Sequence, residues 1–314
     1  MADEKKARKL VVVGDVHGQY DSFVRILRHA GLVDDALHWA GKNNRLLQVG
    51  DIFDRGPQPR MVDDLLDKLQ REAGDTQGEV IRLVGNHELE LLLSNYLISG
   101  FNKEEAKLVR DKLRRQVLDG ALRAAYAYKG YLFTHAGITR KLLKIFELQL
   151  EHTTPVNLAL LINMIFREAI KHEFYRHPIF NISITRSGPD RYGGIFWEDL
   201  DDLLNSYPQS PIKQVVGHTQ VDKINLNNGH NIIPVDVGLH ANWNMWCLRM
   251  ACRKYTRPSW PPPFKHFEPP KKEPLLRGSF FMAETLLRQG LGDNFFGPAV
   301  HFRAFRRGVV VHAG

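Results

Sequence analysis

The chain has 314 residues, of which 43% are hydrophobic and 25% charged; this is ordinary globular usage, excludes a disordered chain and fits one large or two small domains. Two cysteines, Cys247 and Cys252, exclude a disulfide framework and a four-ligand cysteine zinc site, no apolar run nears the ~20 residues that span a bilayer, and the run at 10–13 is too short for a signal-peptide core, so a cytoplasmic protein without a membrane partner is expected. The net charge of +8 is uneven: residues 249–314 hold 12 Lys/Arg against 4 Asp/Glu, whereas residues 1–248 hold 31 of each, so nucleic-acid binding is not expected of the body and is left open only for the basic tail.

Along the first 135 residues strands and helices alternate. Strands are expected at 9–13, 45–49, 79–84 and 131–134, and helices at 21–29, from Pro57 to about 71, after His87, and at 103–118. Pro57 suits a first helical turn, and Val62, Leu65, Leu66 and Leu69 follow the 3.6-residue period. Residues 139–175 read as helical and unusually apolar around 156–170, either as a helical insertion capping the domain or as a helix buried in its core. Strands follow at 213–216, 222–226, 231–235 and 244–249, with Asn227-Asn228-Gly229 as a turn. The pattern gives a layered α/β architecture, helices outside a sheet core. Residues 258–274 contain 7 of the 16 prolines, a composition suited to polyproline or disorder. The expected division is a catalytic domain over 1–252, with the helical insertion at about 139–180, and a basic proline-rich tail over 253–314 that is either an interaction segment or a non-native extension; one helix fits at 279–289.

Five short polar motifs close predicted strands: GDVHG at 14–18, GDIFDRG at 50–56, GNHE at 85–88, HAG at 135–137 and GHT at 217–219. Strand-end loops of α/β sheets are where ligands bind. Carboxylate, amide and imidazole donors suit manganese, iron or zinc, and the glycines let backbone approach a small charged centre. One Asp-x-His carries little information; five such motifs in order, each after a strand, carry a great deal.

On these motifs the chain resembles the phosphoprotein phosphatase family of calcineurin-like metallophosphoesterases, and within it the bacterial and Shewanella-like branch, over roughly residues 10–250. The resemblance implies two packed β-sheets flanked by helices, with two divalent metal ions at one edge: manganese first, iron or zinc as alternatives. It assigns Asp15 and His17 to the first metal, Asp51 to a bridge, and Asn86, His135 and His218 to the second. It implies a phosphomonoesterase in which a metal-bridging hydroxide attacks phosphorus in line, without a covalent phosphoenzyme. His87 would protonate the leaving oxygen and Asp54 would orient His87. Arg55 would grip the phosphate with its planar fork, beside Asn86. The substrate implied is a phosphoprotein, with phosphoserine, phosphothreonine and phosphotyrosine all open, or a phosphorylated small molecule.

Gln220 stands where nuclease-like relatives carry a second metal-binding histidine, which favours the phosphatase branch. Glu88 and the intact Asp54-Arg55-Gly56 disfavour the diadenosine-tetraphosphate hydrolases, which remain the alternative reading. The chain also departs from the family: Val84 precedes GNHE where many members have Arg, and Glu198 and Asp199 follow Trp197 where others place a phosphate-binding Arg. Arg186 and Arg191 are the candidates for a second clamp, and Arg186 is preferred; against this, either could simply pair with Asp190, Glu198 or Asp199. Asp236 is expected to support its loop, and His240 to lie near the cleft.

Overall fold

The computed structural model describes residues 8–95, 100–207, 209–226 and 229–239, together with strands at 248–251, 300–305 and 308–313. His240, Cys247, Cys252, the prolines at 258–274 and the expected helix at 279–289 lie outside the described residues.

Two sheets form the centre. The first has the order β4-β3-β2-β1-β9, from β1 (Lys9–Val13), β2 (Arg45–Gln48), β3 (Glu79–Leu83), β4 (Leu122–Arg123) and β9 (Leu248–Ala251). Strands β1 to β4 are mutually parallel and β9 runs antiparallel to β1. The second has the order β5-β6-β7-β8, from β5 (Ala125–Tyr128), β6 (Tyr131–Thr134), β7 (Lys213–Val216) and β8 (Ile232–Pro234). A hairpin joins β5 to β6, and β6, β7 and β8 are parallel. Strands β10 (Val300–Phe305) and β11 (Gly308–Ala313) pair with each other as a separate antiparallel ribbon.

Alternation along the strands builds the core. Leu10, Val12, Leu47, Ile81 and Leu83 of the first sheet share one buried cluster with Tyr126, Phe133, Val215 and Ile233 of the second, which is the seam between sheets. The intervening residues Val11, Val13, Leu46 and Val80 belong to the other cluster, with apolar residues of the outer helices. Both faces of these strands are therefore covered, which is why they read as unbroken apolar runs.

Among the helices are α1 (Tyr20–His29), α2 (Pro59–Gly74), α3 (Asn86–Leu92), α4 (Lys103–Asp119), α5 (Arg140–Glu147), α6 (Pro155–His172) and α7 (Leu200–Asn205). In α6, Leu158, Ile162, Phe166 and Ile170 recur every four residues on one buried face, and the helix packs on β5 and β6. Its one buried-side amide, Asn163, accepts from Ala124 and Ala125 N–H at 2.9 and 3.0 Å and donates to the Ala125 carbonyl at 2.8 Å. This apolar segment is thus a helix laid on the sheet. Beneath α2 and α4, Arg82 of β3 is 1% exposed and binds Asp63 and Asp67, while Lys112 of α4 reaches both carboxylates at 2.6 and 2.5 Å.

Three expectations need correction. Helix α2 begins at Pro59, not Pro57, because Gln58 N–H donates to the Gly18 carbonyl at 3.1 Å and holds 54–58 as a loop against the first motif. Residues 222–226 are not a strand: Leu226 is 55% exposed and β8 is already paired along β7. Strands β4 and β5 were not anticipated. Among the described residues no helix is long and apolar enough to cross a membrane.

Candidate functional site

Because β1, β2 and β3 run parallel, as do β6, β7 and β8, all five motifs emerge at carboxyl ends of strands. The loops are pinned to one another by backbone: Val16 and His17 N–H donate to the Asp51 carbonyl at 3.0 and 2.9 Å, and Gly217 N–H donates to the His135 carbonyl at 2.8 Å. Two glycines let backbone come close to the site carboxylates. A Cβ at Gly85 would lie 2.1 Å from Asp51 Oδ1, and one at Gly217 would lie 2.4 Å from Asp15 Oδ1. Five site residues that are not glycine take left-handed backbone: His17 (φ 44°), Asp51 (56°), Asp54 (65°), Arg55 (61°) and His218 (66°). Such conformations cost roughly 1–3 kcal/mol each and persist where surrounding contacts impose them.

Asp51 lies at the middle. Its Oδ2 is 3.4 Å from His135 Nε2, 3.7 Å from His17 Nε2 and 3.9 Å from His87 Nε2, and its Oδ1 accepts from His87 N–H at 3.0 Å. Two groups of side chains close enough to surround a cation share it: Asp51 with His17 and His87, and Asp51 with His135 and His218; His87 is engaged through its other nitrogen with Asp54. Asn86 Oδ1 sits 2.9 Å from His135 Nε2 and 2.8 Å from His218 Nδ1. Asp15 reaches the GHT loop by accepting from His218 N–H with both oxygens at 3.1 Å. The residues expected at the centre from sequence, Asp15, His17, Asp51, Asn86, His135 and His218, are therefore brought together.

The donor chemistry fits cations. His17 Nδ1 faces the Phe53 carbonyl at 2.8 Å and His135 Nδ1 faces the Val49 carbonyl at 2.9 Å. A carbonyl only accepts, so in the neutral rings the proton sits on Nδ1 and the bare Nε2 turns inward. The bare Nε2 of His17 faces the Asp51 carboxylate, acceptor against acceptor; burial opposes charge on His135, but Asp51 outweighs it and raises that pKa, so a proton at Nε2 answers the Asp51 and Asn86 oxygens there, and a divalent cation would serve at both positions. Burial holds His17 down to about 4, and burial with the charge of His135 holds His218 well below the usual histidine value, so both are neutral donors. Burial, then the Asp236 and Asp51 carboxylates, raises Asp15 well above the carboxylate range. Asp51 is held well below it, since His135 and His87 outweigh its burial. Negative charge is crowded here, and cations would relieve it.

His87 opens α3 just after Asn86, with its Nδ1 hydrogen-bonded to Asp54 Oδ2. Burial opposes its charge, but Asp51 and Asp54 outweigh burial and push it up to about 9. Arg55 is exposed at the rim. Arg186 lies at the opposite loop, 2.9 Å from Asp199 Oδ2 and donating to Thr219 of the GHT motif, so it both neighbours the site and pairs with Asp199. Arg191 instead lies over Tyr192 at 5.4 Å. Asp236 accepts from Gly238 N–H at 2.8 Å, a bond within its own loop.

Two positioning residues escaped the sequence reading. Glu88 is 1% exposed and accepts from Gly85 and Asp51 N–H, both at 2.7 Å, and from Ile52 N–H at 2.9 Å. It ties the third motif to the second and fixes the backbone that carries Asp51. Gln48 accepts from Gly50 N–H at 3.0 Å and steadies the turn before Asp51. The GNHE spacing signalled Glu88 without disclosing its partners, and nothing in sequence signalled Gln48.

The chain is similar to known proteins. The chain is 42% identical over 88 residues to Shewanella-like protein phosphatase 1 of Plasmodium berghei, covering 28% of this chain and 24% of that one. It is 36% identical over 85 residues to Shewanella-like protein phosphatase 2 of Arabidopsis thaliana, covering 27% and 22%. These matches span about a quarter of the length of either relative. In fold it is similar to the cold-active protein-tyrosine phosphatase of a Shewanella species, with a TM-score of 0.53 at 22% identity over 74% of this chain and 72% of that one. The Calcineurin-like phosphoesterase family model matches residues 8–237, which contain both sheets' parallel strands and all five motifs. With that match over most of its length, the chain belongs to the calcineurin-like phosphoesterase family.

Proposed function

We propose that the chain is a dinuclear-metal phosphomonoesterase acting on phosphoserine, phosphothreonine or phosphotyrosine in proteins. The observation that carries this reading is the placement of Asp51 between two sets of histidines, with His87 and its Asp54 partner alongside. Asp15, His17 and Asp51 would hold one cation, and Asp51, Asn86, His135 and His218 the other. When bound, two divalent cations supply charge to phosphoryl oxygens and acidity to a water molecule. Manganese is the first choice, and iron or zinc accept the same donors.

The chain's own groups do the rest. Asp54 accepts the Nδ1 proton of His87, fixes the ring and stabilises its charged form, leaving the Nε2 proton for the departing alcohol oxygen. The Asn86 side chain turns its oxygen to the histidines, which leaves its nitrogen as the group that would donate to a phosphate. The Arg55 fork would meet the phosphate from the DRG loop, and Arg186 would meet it from the turn at Ile184–Arg186, held ready by Asp199 and by Thr219 of the GHT loop. The sparse cysteines favour a reducing, cytoplasmic setting. A phosphorylated small molecule or a dinucleotide would use the same centre, and the assay separates these substrates. With added manganese, a mixed phosphopeptide library is expected to release phosphate while diadenosine tetraphosphate stays intact. Nucleoside diphosphate from the dinucleotide, with silent peptides, would overturn the reading in favour of a nucleotide hydrolase.

A further inference from the structure

An open groove runs outward from Asp54 and Arg55, and beyond those two residues no step above uses it. It encloses about 580 Å³, within the roughly 300–1,000 Å³ of sites that hold small ligands, and larger than a phosphoryl group requires. Its position relative to the chemistry gives it a direction. Asp54, at the inner end, holds His87, the group set at the leaving oxygen. The groove therefore extends on the alcohol side of the ester, where the rest of a substrate must go once its phosphoryl group is seated.

The groove is mixed in character, with Asp54, Arg55, Gln58, Arg60 and Glu105 along it, but one stretch of its wall is stiff and apolar. Pro57 and Pro59 have fixed φ, and Phe101 is braced edge-on against Phe53 at 6.0 Å. Beside them Met61, in the first turn of α2, leaves its side chain 46% exposed, and an unbranched thioether adapts to varied apolar shapes. At the rim Arg60 pairs with Glu105 at 2.9 Å and lies 5.5 Å from the Phe101 ring centre. The charge of Arg60 is thus answered within the protein, and a carboxylate arriving there would have to displace Glu105.

We infer that this groove is a subsite for an apolar side chain, aliphatic or aromatic, flanking the phosphorylated residue of a peptide substrate. The inference rests on the phosphoprotein reading above. Burying one leucine-sized side chain against Met61 and the proline wall corresponds to roughly tenfold in selectivity.

The test compares kcat/KM of the full, manganese-loaded chain on matched phosphopeptides. The residues adjacent to the phosphorylated one are Leu, Gly or Asp, and p-nitrophenyl phosphate serves as a substrate with no flank. The Leu peptide is expected to exceed the Gly peptide about tenfold. Met61→Asp should bring that ratio to about one or below, and Met61→Leu should preserve it. Equal rates for Leu and Gly peptides, a wild-type preference for Asp, or a Met61→Asp variant that keeps the Leu advantage would overturn the subsite. Turnover of p-nitrophenyl phosphate with no cleavage of any peptide would instead overturn the phosphoprotein reading, and the subsite with it.

Discussion

Replacing Glu88 by Gln removes one charge and almost no volume, yet it should be among the costlier substitutions in the domain. The native carboxylate accepts three backbone N–H groups, from Gly85, Asp51 and Ile52, in a place 1% exposed. The Gln oxygen can replace one carboxylate oxygen, facing either Ile52 or the Gly85–Asp51 pair. The Gln nitrogen, itself a donor, then faces the remaining N–H. With the oxygen on the Gly85–Asp51 pair, the Ile52 N–H and the Gln N–H that faces it stay unmet, and at ~1–3 kcal/mol each the loss comes to about 2–6 kcal/mol. Burial and the Asp51 carboxylate raise the Glu88 pKa, and the three N–H groups oppose that rise. Urea unfolding measures the difference: the midpoint should fall by that free energy divided by the slope, with the slope unchanged. Since the same bonds hold the Asp51 backbone, bound metal per chain should fall too. A Gln variant within ~0.5 kcal/mol of wild type would refute the reasoning, because it would mean that the native acid is neutral and that Gln imitates it.

Further consequences follow from other parts of the structure. His87→Asn removes the proton donor but none of the six expected ligands, so it should keep its metal and lose roughly 10²–10⁴ in kcat toward alkyl phosphates; undiminished turnover of a phosphoserine peptide would contradict that role. Arg82→Ala strips the buried partner of Asp63 and Asp67, leaving only Lys112 to answer them, and should cost about 3–5 kcal/mol in urea unfolding, whereas a neutral result would mean that Lys112 suffices. His177 is pushed down to about 4 by burial and its Nδ1 accepts from Ile179 N–H at 3.2 Å. A depressed histidine contributes stability that is full above its unfolded value near 6.5 and is lost as pH falls through 4, up to about 3 kcal/mol. His177→Asn keeps an acceptor and cannot titrate, so its stability should fall less than that of wild type between pH 7 and 4; parallel curves would contradict this.

The five motifs were legible because each pairs a β-branched or leucine-rich run, covered on both faces, with a polar turn that only a ligand explains. Strand β5, Ala125–Tyr128, was not legible, since its alternating alanines and tyrosines carry too little apolar signal until Tyr126 and Tyr128 are seen packed in the seam. Residues 222–226 misled for the opposite reason: the alternation is present, but the edge it would need is already taken by β8. Pro57 and Pro59 are equivalent in sequence, and only the bond from Gln58 to Gly18 decides which one starts the helix. Among the site residues, those whose chemistry is unusual for a loop were visible, and those whose work is to hold backbone were not. Glu88 acts on residues more than 30 positions away, which no local pattern records.

The most direct test of the dinuclear centre is elemental analysis of the purified protein after loading with manganese and removal of excess, alongside turnover of the same sample. Two metal ions per chain are expected in wild type, and fewer than one in Asp51→Asn, with turnover lost in parallel. Full phosphate release from wild-type protein holding one ion or none, or an Asp51→Asn variant that retains both ions, would contradict the account.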